Sequence, residues 1–414
     1  MKCRHCGSRL TLTFLDLGSA PLSNAYLTLE KLRSPETWYP LRLLVCEHCW
    51  LVQTEGYTGR EVLFADDYSY FSSFSTSWLA HAETYVSKMV ERFELSGQSM
   101  VAEIGANDGY LLQYVKARSI PCYGVEPTAS TAAAARRRGL RIVERFFDVE
   151  LALELKAEQH QPDLIVANNV LAHVPDINNF VRAFSILLKP KGVATFEFPH
   201  LPQMVRENQF DTAYHEHYSY LSLTAVERIF TVNGLAVFDV EQLPTHGGSL
   251  RVFAERLDEA SRPRAPGVTS LIQQECAAGL KTRDYYLGLQ RHAEQVKDDL
   301  LFSLIEAKRR GLKVGGYGAA AKGNTLLNFA GIRPDLLPYV ADRNPAKQGK
   351  YMPGSRIPIV SEQHLQEHRP DQILILPWNI KNEVIRQLSY AHQWGGQFVI
   401  PVPSLQIIES RAAV

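Results

Sequence analysis

Ser99-Met-Val-Ala-Glu103-Ile-Gly105-Ala-Asn-Asp-Gly109 is the stretch that decides the fold. Residues 99–104 read as a buried strand, 105–109 as a tight turn and 110–118 as a helix, because a short apolar run gives way to glycine and then to helical spacing. A second strand, Cys122-Tyr-Gly-Val-Glu126, follows at once. Further strand patterns at 163–168 and 192–198 are separated by helical periodicity such as that of 177–188. Alternation of this kind specifies an α/β unit with a mostly parallel sheet.

Such a sheet binds its ligand beyond the carboxyl ends of its strands. Gly105 and Gly109 permit a close approach of backbone to ligand that a side chain would block. Glu126 ends the second strand about twenty residues after the loop, where a carboxylate accepts ribose hydroxyls. The loop lacks the third glycine of a dinucleotide fingerprint. Glu103-x-Gly105-x-Asn107-Asp108-Gly109 instead resembles the class I methyltransferases. That resemblance implies S-adenosylmethionine as cofactor, against Glu103, Gly105, Asn107, Asp108, Gly109 and Glu126. Asp148 and Asn168 stand where later strand ends reach the adenine and the sulfonium, although Asp148 equally suits a helix N-cap.

Upstream, Cys3-x-x-Cys6 and Cys46-x-x-Cys49 are two thiolate knuckles whose spacing turns both sulfurs of a pair toward one metal. Together they make a tetrahedral site suited to zinc and closed to water, hence structural. His5 and His48 read as exposed loop histidines. Residues 1–75 carry short apolar runs, turns and aromatics, as a small metal-stapled module does. Asp67-Tyr68-Ser-Tyr70-Phe-Ser-Ser-Phe-Ser75 then concentrates hydroxyls and aromatics before an amphipathic helix at 77–94. A packed hinge accounts for that segment equally well.

Downstream, Tyr214-His-Glu216-His217-Tyr-Ser-Tyr220 is the densest polar cluster. Buried, it would need many partners; in a cleft it supplies a general base and phenolic donors. It lacks the helical spacing of a His-Glu-x-x-His metal site, and a solvated loop is the plain alternative. His173, in Asn168-Asn-Val-Leu-Ala-His173-Val-Pro, follows the strand at 163–168 and belongs either to the ligand edge of the sheet or to the core. Antiparallel strands are expected at 235–240 and 249–254, a linker at 260–268 and a long helical stretch at 271–310. A second α/β unit follows, with strands at 312–318, 338–342, 372–376 and 397–401. Its loop, Gly315-Gly-Tyr317-Gly-Ala-Ala-Ala-Lys322-Gly-Asn324-Thr325, leaves backbone amides and Lys322 to meet an anion. A substrate diphosphate fits that loop better than a dinucleotide does, with a tight packing turn as the alternative.

At 414 residues the chain exceeds a single core, which stops growing at roughly 250 to 300 residues. Lys plus Arg (44) equals Asp plus Glu (44), so net charge gives no support to a nucleic-acid partner. Met1-Lys-Cys-Arg-His-Cys6 lacks the apolar core of a signal peptide, and no stretch approaches the roughly 18 apolar residues of a membrane span. With cysteines at metal spacing rather than in a disulfide framework, a cytoplasmic protein without a membrane partner is expected.

Taken in order, the knuckles, the Glu103–Gly109 loop, the His173 segment, the Tyr214–Tyr220 cluster and the second glycine loop resemble the nucleotide-sugar C-methyltransferases of deoxysugar biosynthesis over nearly the whole chain. The resemblance implies a zinc-binding module at 1–75, a methyltransferase domain at 76–258 with a Rossmann-like class I fold, and a C-terminal α/β domain at 259–414. The last would help hold the sugar nucleotide through Tyr317, Lys322 and Asn324. The implied reaction is S-adenosylmethionine-dependent methylation at carbon 3 of a dTDP-linked 4-keto-6-deoxy sugar. His217 is the implied base, with a pKa near its unperturbed value of about 6.5. Glu216 would orient or polarise the site, Tyr214 donate to the enolate oxygen, His173 stand near the sugar, and Tyr68 or Tyr70 supply a further hydroxyl. Monomer and homodimer both stay open. Two other functions compete: a zinc-module methyltransferase of RNA or protein, which zero net charge disfavours, and a nucleotide-sugar-binding protein without turnover.

Overall fold

In the computed structural model, which describes residues 1–57, 59 and 71–409, the chain lays down three sheets. The first begins as an antiparallel meander of β1 (Leu12–Ala20), β2 (Tyr39–Val45) and β3 (Val52–Thr54). The second is built from β4 (Val101–Ile104), β5 (Cys122–Val125), β6 (Ile142–Val143), β7 (Leu164–Asn168) and β8 (Val193–Pro199), all parallel. Next, β9 (Ser219–Tyr220) leaves that unit and pairs with β3 of the first sheet. The chain then returns as an antiparallel hairpin of β10 (Leu235–Leu243) and β11 (Ser249–Arg256). The central order is β10-β11-β8-β7-β4-β5-β6. Strand order therefore reverses beside β4, and the 105–109 loop leaves the sheet at the switch point where doubly wound folds bind ligands.

These strands are near-continuous apolar runs, with β4 and β7 buried throughout, as a parallel sheet covered on both faces requires. The helix over 77–94 forms at Thr76–Arg92, with Ser75 capping it through the Trp78 N–H and Trp78, Ala82, Tyr85, Val86 and Met89 on the buried stripe. The third sheet joins β12 (Val314–Tyr317), β13 (Val340–Ala341), β14 (Ile359–Val360), β15 (Gln372–Ile375) and β16 (Gln397–Ile400) in parallel, with β17 (Gln406–Glu409) antiparallel at the edge. Two sequence expectations need correction. The 271–310 stretch is two helices, Pro266–Ala277 and Leu289–Arg309, because the chain turns at Gly279 with φ +87°, a conformation that favours glycine. The linker at 260–268 accordingly ends inside the first of them, with Pro266 in its opening turn.

Apolar packing ignores the sheet boundaries. Leu12, Leu15, Leu41 and Val52 share one core with the third sheet, and Cys46, Cys49 and Leu51 share another with the central sheet. The N-terminal unit thus buries its faces on both neighbours. Among the described residues, no helix is long and apolar enough to cross a membrane.

One buried charge ties these layers together. Glu275, 2% exposed, accepts from the Leu223 and Thr224 N–H groups at 2.8 Å, from the Thr224 hydroxyl at 2.7 Å, and pairs with His200 Nε2 at 2.8 Å. It caps the helix Leu223–Val232, which follows directly on β9. Removing one partner of a buried pair strands the other, so Glu275→Ala is expected to cost about 3–5 kcal/mol in chemical denaturation. A loss under about 1 kcal/mol, the range of an exposed pair, would contradict this role.

Candidate functional site

The loop after β4 is built from backbone conformation. Gly105 and Gly109 hold φ at +70° and +81°, and an added Cβ would stand 2.5 Å from Val170 Cγ2 or 2.3 Å from Leu140 Cδ1. Glycine is required here by the turn and its packing, a sharper reason than ligand approach alone. Glu126 closes the loop, accepting the Asn107 N–H and the Thr128 N–H at 2.9 Å each. Asn107 accepts the Ser72 N–H at 2.9 Å, and Asp108 is held by the Ser73 hydroxyl and Arg138.

Inside this cradle, polar atoms are left over. Glu103 is fully buried and Asn168 is 6% exposed. The Tyr110 hydroxyl lies beside both, yet neither carboxylate oxygen of Glu103 and neither amide atom of Asn168 completes a hydrogen bond of normal geometry. Burial, with Asp108 and Glu126 adding their charge, pushes the Glu103 carboxyl well above the ordinary range. Unsatisfied buried groups of this kind need a partner, and a ligand carrying ammonium, hydroxyl and sulfonium groups matches them. Glu103, Glu126 and Asn168 would hold S-adenosylmethionine there. Asp148 caps the helix Val149–Ala157 by accepting the Leu151 N–H at 3.0 Å; the capping alternative accounts for its side chain.

Beyond β7 and β8 the histidines gather. His217 is 5% exposed, and its Nδ1 lies 2.9 Å from the Thr212 carbonyl. A carbonyl only accepts, so Nδ1 carries the proton and Nε2 the lone pair. Tyr214 donates its hydroxyl to that Nε2 at 2.7 Å. His173 stands edge-on to His217 with ring centroids 4.6 Å apart and bonds the Glu216 backbone carbonyl. Burial first, and then the neighbouring His173, hold the His217 pKa well below the ordinary value. The expectation of an unperturbed imidazole is therefore corrected, and the ring is neutral at pH 7. Glu216 is buried and accepts the Asn24 amide at 2.6 Å. Tyr68 and Tyr70 lie outside the described residues.

Several neighbours escaped the sequence reading. His246, in Pro244-Thr-His-Gly-Gly248, is carried by three successive positive φ values (+56°, +91° and +117°) to meet Asn169 at 3.1 Å and Trp78 edge-on at 4.8 Å. The signal was the paired glycine opening β11. Beneath it, Glu197 on β8 pairs with Arg251 at 2.6 Å and His81 at 2.9 Å and accepts the Thr245 hydroxyl at 2.9 Å. Burial opposes its charge, but His81 and Arg251 outweigh burial and bring its carboxyl to about 2. Asp211, fully buried, accepts the Trp378 indole N–H at 2.6 Å, and burial raises it to about 6.

The second glycine loop contributes unequally. Lys322 lies over Trp378 at 4.6 Å, donates to the His246 carbonyl at 3.3 Å and faces Asp211 and His217. Tyr317 instead bonds Gln387 and Glu362, and Asn324 donates to the Ser23 carbonyl at 2.5 Å. Of the three residues expected at the nucleotide, Lys322 alone stands with the His217 cluster.

At the N-terminus the sulfurs of Cys3, Cys6, Cys46 and Cys49 all lie within 4.8 Å of one another, with Cys3–Cys49 at 3.5 Å and Cys6–Cys46 at 3.4 Å. Tetrahedral zinc with Zn–S of about 2.3 Å needs sulfur–sulfur edges of about 3.8 Å, so the cage fits that ion. His5 is bonded to Asn178 at 2.8 Å and only half-exposed, which corrects its reading as an exposed loop histidine; His48 is exposed.

Three family models match consecutive parts of the chain: "Putative zinc binding domain" over residues 3–64, "Methyltransferase domain" over 78–240 and "C-methyltransferase C-terminal domain" over 244–403. C-methyltransferase NovU of Streptomyces niveus is 33% identical over 413 residues, 100% of this chain and 98% of that protein. Among solved structures, magnesium protoporphyrin IX methyltransferase of Synechocystis is 15% identical with a TM-score of 0.33, over 43% of this chain and 79% of that one. An S-adenosylmethionine-dependent methyltransferase of Clostridium acetobutylicum is 12% identical with a TM-score of 0.34, over 42% and 90%.

Proposed function

We propose, from the premise that this chain belongs to the C-methyltransferase family and is an S-adenosylmethionine-dependent C-methyltransferase, that it methylates carbon 3 of a dTDP-linked 4-keto-6-deoxy sugar. The observation that carries this reading is the Tyr214–His217 pair, a neutral buried imidazole with its lone pair on Nε2 and a phenol 2.7 Å away. Transfer of an electrophilic methyl group to carbon 3 needs that carbon to be nucleophilic, and a ketone one atom away lets a weak base make it so as an enolate.

His217 Nε2 takes the proton from carbon 3, and the electron pair moves onto the ketone oxygen as an enolate. In the absence of substrate the Tyr214 hydroxyl occupies Nε2; when a ketone arrives, the hydroxyl turns to the carbonyl oxygen and frees the base. A phenol donor turned to that oxygen strengthens its bond as negative charge develops there. Bound S-adenosylmethionine would supply an electrophilic methyl group, which carbon 3 of the enolate would take as the methyl–sulfur bond breaks, the thioether S-adenosylhomocysteine leaving with that bond's electron pair. His173 and the Thr212 carbonyl fix the imidazole, and Glu216 anchors the segment to Asn24. On this reading the units span 1–75, 76–258 and 259–414, and Lys322 faces the diphosphate beside the sugar.

The test is a panel of dTDP-linked 4-keto sugars incubated with the donor and followed by product mass. A 4-keto-6-deoxy member is expected to gain one methyl group on carbon. Inertness of every 4-keto sugar in a protein that still binds the donor would contradict the reading.

A further inference from the structure

Between the zinc cage and His217 lies a side chain that the proposed chemistry does not use. Arg4 sits inside the Cys3-Arg4-His5-Cys6 knuckle. Its Nη1 donates to the Thr54 carbonyl at 2.7 Å and to the Tyr218 carbonyl at 3.2 Å, and its guanidinium lies over the Tyr218 ring at 5.2 Å. Gly56 leaves the space for it, since a Cβ there would come within 2.8 Å of Nη2. The Arg4 N–H donates to Gln53 Oε1 at 2.9 Å, and Gln53, fully buried, donates in turn to Cys3 Sγ at 3.3 Å.

The same short strand reaches the other way. The Thr54 hydroxyl donates to the His217 carbonyl at 2.5 Å and the Thr54 N–H to the Tyr218 carbonyl at 3.2 Å. Val52 and Gln53 pair with Tyr220 and Ser219. The carbonyl of His217 and that of the next residue are thus both held from the zinc unit, by one threonine and one guanidinium. Arginine suits the task, because the two N–H groups of its Nη1 meet both carbonyls while the flat face of the same guanidinium lies over the Tyr218 ring, a combination a compact ammonium does not reproduce.

We propose that Arg4 is a positioning residue that fastens the zinc knuckle to the backbone of the 214–220 segment, so that closure of the knuckle on its metal fixes where the His217 imidazole stands. The inference rests on the reading of His217 as the base. It gives the zinc unit a role in turnover through geometry, with the metal itself remote from the chemistry.

The experiment uses the full-length zinc-loaded chain with Arg4→Met, Arg4→Lys and Thr54→Val. Zinc is counted by elemental analysis, backbone exchange of 214–220 is followed by hydrogen–deuterium mass spectrometry, and kcat and KM are measured on the 4-keto sugar that the panel identifies. Arg4→Met is expected to keep its zinc, to exchange about tenfold faster in 214–220, as loss of a charged hydrogen bond implies, and to leave exchange in 164–168 unchanged. Its kcat is expected to fall about 100-fold, the scale of a misplacement of about 1 Å, with KM for the donor unchanged and part of kcat restored in Arg4→Lys. Zinc-loaded Arg4→Met and Thr54→Val with exchange and kcat both within twofold of the parent would overturn the proposal. Should Arg4→Met lose zinc, Thr54→Val, which removes a hydroxyl bonded to the His217 carbonyl and leaves the backbone carbonyl that Arg4 meets, decides by the same two readouts. Exchange needs no substrate, so failure of the sugar assignment leaves this test intact.

Discussion

His217→Asn lowers turnover by about 100- to 10,000-fold, the usual contribution of a general base, while donor binding survives. The asparagine keeps a side-chain donor for the Thr212 carbonyl, which His217 meets at 2.9 Å, but it has no basic lone pair for carbon. Donor binding is expected to be spared, because the residues proposed to hold the donor, Glu103, Glu126 and Asn168, lie on β4, β7 and the turn after β5, while His217 comes from the segment before β9. The pH profile separates this role from a structural one. Burial and His173 hold the imidazole well below its ordinary pKa, so the group is already deprotonated where a free histidine would be charged. The acid limb of kcat/KM, which reports groups of the free enzyme, therefore falls below the ordinary histidine value of about 6.5, and it disappears in His217→Asn. Full activity of His217→Asn would remove it as the base.

Loss of the metal is the second large effect. Purified protein is expected to hold about one zinc per four-cysteine cage, and a structural zinc contributes roughly 10–16 kcal/mol to the fold that holds it. That is comparable to the roughly 5–15 kcal/mol by which a whole domain is stable. Because Cys46 and Cys49 belong to the core of the central sheet, and β1 and β2 to that of the third, the damage spreads. Exhaustive chelation or Cys49→Ser is expected to lower the melting temperature steeply and to expose β1–β3 to proteolysis. A chelated chain with an unchanged melting curve would refute the structural role.

The sequence makes some of these features plain and hides others for physical reasons. The turn at 105–109 and the partner Glu126 are close in sequence, and their spacing is imposed by one strand, one helix and the next strand. The cysteine cage is legible because two-residue spacing is itself a geometric statement. His173 and His217 each stood out within a motif, but their contact depends on the packing of separate elements, which no periodicity encodes. β9 is two residues long and crosses to the first sheet, too short for alternation to register and too distant in pairing to infer. Asp211 and Trp378 come from different units and meet only after the third sheet docks. His246 needed three positive φ values to reach the site, so its glycines signalled a turn without saying what the turn presents. Glu197 lies in an apolar strand, where an acid without its Arg251 and His81 partners reads only as an anomaly.

The central claim, carbon methylation through a His217-generated enolate, is tested most directly by the fate of one hydrogen. A dTDP-linked 4-keto-6-deoxy sugar carrying deuterium at carbon 3 is turned over with S-adenosylmethionine, and the methylated product is weighed and fragmented. The predicted product carries the new methyl group on carbon 3 and no deuterium there. A methylated product that retains deuterium at carbon 3, or that bears the methyl on oxygen, would contradict it.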